Sequence, residues 1–390
     1  MASSALVRCL MYTRLSIEIL PDDFEKAGHR DAHHAATSFL FIEGNLGVPK
    51  KALYRTYLDA LAIFASSKKG AYEEGAHSAH DIHNLVASSA VILLANPGHL
   101  TALNARKRLI QRQTLDSLRE LEFTTALLSS KNCANQSILW HHRQWLLRRI
   151  YGSFGNIVRF PEGENTRPSM EFESGVEAFG DILILPRETI ERELSIASKA
   201  CEIYPRNYFA WSHRHFCMQL VMHLLSAGLD STDLEEMAML ISNEVTAMRR
   251  WIEQHISDSS AVHYLVTILD HLDAAGLKDV LPLVSPNPES GLIPYVDSVS
   301  SCVEDLSSSM CHAISLVKSY PDHESLWQYF RAVCCRGNAQ SSDIQTFTRS
   351  FIHPWAYQSQ SPSDHDSKLV TILAYRYLAW KACQVGTCDG

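Results

Sequence analysis

No stretch of this 390-residue sequence approaches the roughly 18 consecutive apolar residues that a membrane-spanning helix needs. The longest runs, such as residues 90–95, stop far short of that length, and no membrane span is expected. Ten cysteines are present, but no two form a CxxC pair and their spacings are irregular. A disulfide scaffold is therefore not indicated, and reduced, buried thiols are the expectation. An excess of positive charge is also missing: 35 basic residues face 43 acidic ones, for a net charge of −8. That balance leaves no electrostatic footprint for nucleic acid. We find no glycine-rich phosphate loop and no Ser-His-Asp arrangement. The first 17 residues lack acids and carry Arg8 and Arg14 among serines, a loose transit-peptide pattern. A ragged terminus is the plainer reading, and a cytoplasmic location is expected.

What the sequence does have is apolar bulk, 46% of its residues, with only 20% charged. That suffices for a large core or a long solenoid. It also has an internal repeat. Four segments align: Asn96-Pro97-Gly98-His99-Leu100-Thr101-Ala102-Leu103-Asn104-Ala105-Arg106, Asn135-Gln136-Ser137-Ile138-Leu139-Trp140-His141-His142-Arg143, Pro205-Arg206-Asn207-Tyr208-Phe209-Ala210-Trp211-Ser212-His213-Arg214, and Pro321-Asp322-His323-Glu324-Ser325-Leu326-Trp327-Gln328-Tyr329-Phe330. A weaker fifth copy runs Ser259-Ser260-Ala261-Val262-His263-Tyr264-Leu265. The key positions 103, 140, 211, 262 and 327 are separated by 37, 71, 51 and 65 residues. The first step suits a helix-turn-helix repeat of about 34 to 47 residues, and the longer ones require insertions. Residues 151–186 are rich in Gly, Pro, Glu and Asn, and four prolines fall near 281–295, so loop insertions are placed there.

Apolar residues at helical spacing precede the motifs: Ile82, Leu85, Val86, Ser89 and Leu93 before the first, Ile190, Leu194, Ala197 and Cys201 before the third. Turns at Asn96-Pro97, Tyr204-Pro205 and Tyr320-Pro321 separate the helices. Asn96 is expected to cap the second helix with Pro97 at its first position. Each unit therefore reads as helix A, a tight turn, and helix B beginning near the motif. The fold class is all-α, a solenoid of helical hairpins. We divide the chain into an N-terminal segment 1–75 with one helix near 50–65, repeats over 76–340, and a C-terminal extension 341–390 with a terminal helix.

On helix B, Trp140 and Arg143 share a face while His142 points elsewhere. An indole there fills the gap between hairpins with its N–H on a carbonyl, and an arginine one turn on meets carbonyls or acids of an adjacent helix. Trp211 and Arg214 repeat the pattern. The structural reading of Trp140, His142, Arg143, Trp211, His213, Arg214 and Trp327 is thus a frame holding the repeats together.

The recurring Asn-Tyr-x-x-Trp-x-His-Arg, most complete at 207–214, resembles the repeat of protein prenyltransferase α subunits over roughly residues 80–335. Upstream, Phe41-Ile42-Glu43-Gly44-Asn45-Leu46-Gly47-Val48 followed by a helix is similar to one branch, the protein prenyltransferase alpha subunit repeat-containing protein 1 family. The resemblance implies a right-handed α–α superhelix and an α-type subunit of a heterodimeric enzyme, inactive alone. Its β subunit would bring zinc and the isoprenoid pocket, and a geranylgeranyl (or farnesyl) group would pass from a prenyl diphosphate to a C-terminal cysteine of a protein substrate. No cofactor is expected in this chain.

The family's Lys-Asn-Tyr before one Trp-His-His-Arg is replaced here by Asn135, Gln136 and Ser137. The next copy keeps Asn207 and Tyr208 but has Phe209 where the family has histidine. Asn207 and Tyr208 are therefore the candidate catalytic residues, near the departing diphosphate. The chain's own Cys388 is not fourth from the end, so it is not expected to be a substrate of this kind.

His77, His80 and His83 lie three apart, but His83 drifts off the shared face and Gly75 weakens the helix, so a polar stripe outweighs a metal site. His141 and His142 lack a nucleophile and an orienting group. Arg106, Lys107, Arg108, Arg112, Arg148 and Arg149 form basic runs that read as a solvated face or an attraction for an acidic partner. A non-enzymatic helical-repeat adaptor is the alternative function. A standalone enzyme ranks lowest, since no Cys/His/Asp zinc set is recognisable.

Overall fold

The computed structural model describes Leu6 and residues 16–21, 39–70, 79–152, 183–226, 231–274, 308–336, 342–352 and 364–386. The bulk of both expected insertions, and His77, lie outside the described residues. The chain divides into two compact units, Met1–Leu220 and Val221–Gly390.

The first unit opens with a small sheet of β1 (Ser16–Leu20), β2 (Leu40–Ile42) and β3 (Asn45–Pro49), in the order β1-β3-β2. β1 runs parallel to β3, and β2 pairs with it antiparallel. The β2–β3 connection is a two-residue hairpin whose central residues, Glu43 and Gly44, have φ of 48° and 80°. Two successive positive φ values match a type I′ turn, which follows the twist of the strands it joins. Gly47 sits on β3 between its neighbours, where a Cβ would come within 2.7 Å of the Leu20 side chain and 3.3 Å of Leu40. The segment Phe41 to Val48 is thus a hairpin, an element absent from the sequence-based expectation of a single helix in this region.

Helix α1 (Lys50–Gly70) follows directly and packs against α2 (Ala79–Ala95). Three hairpins come next: α2 with α3 (Leu100–Gln111), α4 (Ser117–Leu128) with α6 (Ser137–Tyr151), and α7 (Arg187–Ile203) with α8 (Tyr208–Ser226). A single turn of helix, α5 (Lys131–Ala134), sits in the second connection. The A-to-B turn of the first hairpin corrects one expectation. Asn96 does not cap α3, because Pro97-Gly98 forms a β-turn closed by His99 N–H on Asn96 O at 3.0 Å. The helix starts three residues later, with His99 Nδ1 accepting from Ala102 N–H at 3.1 Å. α4 is capped more conventionally, by Asp116 Oδ1 on Arg119 N–H.

In the second unit, α9 (Ser231–Gln254) pairs with α10 (Ser259–Ala274) and α11 (Ser308–Ser319) with α12 (Glu324–Arg336). α13 (Ser342–Arg349) and the terminal α14 (Asp364–Gly386) complete it. Trp327, Phe330, Phe347, Phe351 and Tyr377 form one aromatic cluster in this unit, with centroids 5.0–6.3 Å apart. The fold is all-α hairpins with a small β appendage; no helix among the described residues is long and apolar enough to cross a membrane.

Candidate functional site

The motif side chains point inward and form a repeating polar frame. In the first hairpin Arg106, on α3, donates from Nη1 to Val86 O at 2.8 Å and Ser89 Oγ at 3.0 Å, both on its own helix A. Its other nitrogens reach Glu120, on helix A of the next hairpin, at 2.6–3.1 Å. His142 Nε2, on that hairpin's helix B, donates to the same carboxylate at 3.0 Å.

One hairpin further on the pattern recurs. Arg143 Nη1 donates to Leu121 O, Thr124 Oγ1 and Thr125 Oγ1 on its own helix A at 2.8–3.0 Å. Its Nε and Nη2 bind Glu193 at 2.6 and 2.7 Å, and His213 Nε2 donates to Glu193 at 2.8 Å. Arg214 then addresses Leu194 O and Ser198 Oγ, again on its own helix A. Each arginine therefore ties its own hairpin to the next, and each glutamate is shared by an arginine from behind and a histidine from its own hairpin. Leu85, fully buried, occupies the position on the first helix A that Glu120 and Glu193 occupy on the next two.

All six side chains are essentially out of solvent. Burial pushes the Glu120 carboxyl upward, but the adjacent Arg106 guanidinium and the hydrogen bonds from His142 and Arg106 outweigh it, holding it at about 2. Arg143 and His213 do the same for Glu193, also at about 2. Burial drives both histidines below their ordinary range, against the pull of the carboxylates. A neutral ring bonded through Nε2–H to a carboxylate has a bare lone pair at Nδ1. Neither Nδ1 has a hydrogen-bond partner among the described residues, which suits the neutral tautomer and would be costly for an imidazolium. Each Arg–Glu–His triad is thus one ion pair plus a neutral donor.

The tryptophans close the frame at the turns. Trp140 Nε1 donates to Ala134 O at 2.8 Å and Trp327 Nε1 to Pro321 O at 2.7 Å, each reaching back six residues to the turn before its helix. The Trp140 ring also lies 5.0 Å from the His213 ring of the next hairpin. Trp211 is buried, with the Arg214 guanidinium 5.8 Å from its ring.

The chain carries a match to the model of the protein prenyltransferase alpha subunit repeat at residues 190–221, the stretch from Ile190 on α7 through the Trp211-x-His213-Arg214 motif. It is 26% identical to protein prenyltransferase alpha subunit repeat-containing protein 1 of Danio rerio over 315 residues, covering 78% of this chain and 65% of that protein. The same protein of Homo sapiens is 26% identical over 322 residues, covering 78% and 70%. Form 1-A of Xenopus laevis is 28% identical over 261 residues, covering 64% and 54%. The chain thus carries one stretch that matches the protein prenyltransferase alpha subunit repeat and is similar over most of its length to these repeat-containing proteins. It spans about two thirds of the length of the Danio rerio relative.

The two candidate catalytic residues separate in the structure. Asn207 is fully buried: its Oδ1 accepts from Ala210 N–H at 3.2 Å as the cap of α8, and its Nδ2 donates to Ala134 O at 2.8 Å in the neighbouring turn. Both ends of its amide are thus engaged in the frame. Tyr208 is 73% exposed at the first position of α8 and touches Phe209 edge-on. Trp140, His142, Arg143, Trp211, His213, Arg214 and Trp327 all lie in the frame. His141 is exposed, as are His80 and His83, and among the described residues no group of three acidic, cysteine or histidine side chains is placed to hold a metal.

The basic runs divide in the same way. Arg106 is buried in the frame, while Lys107 and Arg149 flank the Trp145 ring at 5.4 and 5.8 Å, and Arg148 lies over Phe216 at 5.0 Å. Trp145 in turn stacks on His142.

Glu120 and Glu193 were not among the sequence-based candidates. A signal existed: Glu193 takes the i+3 slot of the apolar series Ile190, Leu194, Ala197, Cys201, and an acid in an apolar stripe demands a buried partner.

Proposed function

We propose that the chain is the α-type, non-zinc-binding subunit of a heterodimeric protein prenyltransferase in the cytoplasm, scaffolding a β subunit that transfers a geranylgeranyl or farnesyl group to a protein cysteine. The observation that carries this is the Arg–Glu–His frame at the family-matched repeat. It interlocks consecutive hairpins through buried pairs and turns their motif residues inward, leaving helix starts and turns as the surface for a partner. His142 and His213 are bonded to carboxylates and sealed from solvent, so they do not suit a zinc site. In this reading the zinc, which lowers the pKa of the substrate thiol, belongs to the β subunit. Tyr208 is the group this chain offers near the reaction, its phenol O–H available to charge developing on a leaving diphosphate.

The test is co-expression with a Rab geranylgeranyltransferase β subunit and purification on a single tag. Co-elution with transfer of labelled isoprenoid is expected. Absence of both refutes the proposal. In the assembled enzyme Tyr208→Phe lowers transfer without unfolding the chain, and an unchanged rate assigns the subunit a scaffolding role alone. A second reading, a non-enzymatic adaptor, is favoured by the replacement of Lys-Asn-Tyr with Asn135, Gln136 and Ser137; an adaptor binds a short peptide where the subunit binds a folded barrel.

A further inference from the structure

The first unit holds a cleft of about 1160 Å³ that no arginine, glutamate, histidine or tryptophan of the frame lines. Its walls are β1 (Ser16, Ile17, Glu18 and Ile19) and the start of α1, and its floor is made by the ends and turns of the hairpin helices near 94–96, 129–132 and 203. The cleft exceeds the roughly 300–1,000 Å³ of pockets that hold drug-sized molecules.

We propose that this cleft binds an extended acidic peptide segment of a partner protein, in which acidic and apolar residues alternate. Three features select that occupant. The first is charge. Lys50, Lys51 and Lys131, from two separate elements, line the cleft against the single carboxylate of Glu18. This local excess of positive charge stands in a chain whose net charge is −8. Lys50 and Lys131 are exposed, so their charges meet a ligand without prior desolvation.

The second is apolar surface interleaved with those cations. Tyr54, exposed, and Ile19, Tyr57 and Ile203, partly exposed, line the same space over the buried Ile17, Leu53 and Leu94, which suits every other side chain of an extended segment.

The third is the sheet edge. Among the described residues β1 is an outer strand, and Ser16, Ile17, Glu18 and Ile19 line the cleft. Ser16 N–H points to β3, where it meets Gly44 O, whereas Ile17 N–H points away and is met by Ser129 Oγ at 2.7 Å. By the twofold alternation of a strand, Ile19 N–H points to the same outer side as Ile17 N–H. An added strand would take up that edge, main chain supplying affinity and side chains specificity. This inference stands apart from the prenyltransferase reading, because no frame residue and no β subunit enter it.

The experiment uses the full chain and a fluorescently labelled alternating glutamate–valine peptide, read by anisotropy, with a lysine–valine peptide as the charge control. We expect the acidic peptide alone to bind. Lys50→Glu combined with Lys131→Glu weakens it at least about tenfold at low salt. That difference shrinks as ionic strength rises toward about 1 M, where screening reaches ~3 Å. Binding slows hydrogen exchange at the Ile19 amide. Circular dichroism checks the fold of the double variant; both lysines are exposed, so their replacement removes no core contact. Failure of the acidic peptide to bind, equal binding of both peptides, or indifference to the double substitution overturns the proposal. So does full displacement of the peptide by inorganic diphosphate with no change at Ile19, which identifies a small-anion site instead.

Discussion

Glu193→Gln is the sharpest test of the frame, because it keeps the shape of the side chain and removes its charge. The native carboxylate accepts from Arg143 Nε and Nη2 at 2.6 and 2.7 Å and from His213 Nε2 at 2.8 Å, with all three side chains fully buried. Glutamine offers one oxygen, and its amide N–H groups then face a guanidinium donor or an imidazole donor. Removing one member of a buried ion pair costs about 3–5 kcal/mol, since the surviving charge stays buried and uncompensated. Arg143 retains Leu121 O and the two threonine hydroxyls through Nη1. We therefore place the loss at the lower end, about 3 kcal/mol.

The assay is native-state hydrogen exchange on the amides of α6 and α7, because a 390-residue chain in two compact units is not expected to unfold in one step. A loss of about 3 kcal/mol lowers protection there on the order of a hundredfold. The companion variant, Arg143→Met with Glu193→Leu and His213→Phe, leaves no charge behind and should be closer to the parent than the single change. A single variant losing under about 1 kcal/mol, or a triple variant less protected than the single one, refutes the assignment of the triad as an interlocking element.

Acid should loosen the first unit in two stages. His142 and His213 are held below their ordinary range by burial, so the unfolded chain takes up protons first as the pH falls below about 6.5, and stability drops with it. Glu120 and Glu193, held at about 2, lose their contribution from the ordinary carboxylate range downward. A melting temperature that stays flat or rises between about pH 7 and 5 contradicts neutral histidines. Asn207→Ala removes a helix cap and a bridge to the neighbouring turn and should cost about 2–3 kcal/mol, read by thermal or denaturant unfolding. Gly47→Val drives a side chain into Leu20 and should cost about 1–3 kcal/mol in the same assay, with little change if the β1–β3 contact is dispensable.

The hairpins were legible because their information is local. Apolar spacing before the motifs, Pro-containing turns and the Trp-x-His-Arg copies all repeat within a helix length or two. The exact start of α3 was not, since a Pro97-Gly98 turn and an Asn96 cap look alike until the closing hydrogen bond chooses between them. The small sheet is illegible for a different reason. β1 and β3 are separated by the stretch from 21 to 44, and their parallel pairing leaves no turn between them to read. The Glu43-Gly44 pair carries a hairpin signal, but a resemblance of the segment to a family says nothing of its turn.

The candidate site divides along the same line. That Arg143 needs a buried acid follows from one helix; that the acid is Glu193, fifty residues away across an insertion, does not. Tyr208 and Asn207 are adjacent in sequence and alike in polarity. Only the reach of the Asn207 amide to Ala134 O shows that one is frame and the other surface.

The second unit shows what the frame is for. At the histidine position of its copies stand Tyr264 and Tyr329, and at the arginine position Leu265 and Phe330. Tyr264 O–H still donates to a buried glutamate, Glu244, at 2.6 Å, and Tyr329 Oη lies 3.2 Å from His312 Nδ1. Phe330 packs into the aromatic cluster in place of a guanidinium. The hairpin geometry thus survives loss of the arginine–glutamate pair when an apolar side chain of similar bulk takes over, as expected if the pair sets which helices meet more than how tightly they hold. The charged triads then specify neighbours in the first unit, where three hairpins of similar length have to stack in one order. Groups able to meet a ligand are those the frame leaves exposed: Tyr208 at the start of α8, and the lysines of the cleft beside β1.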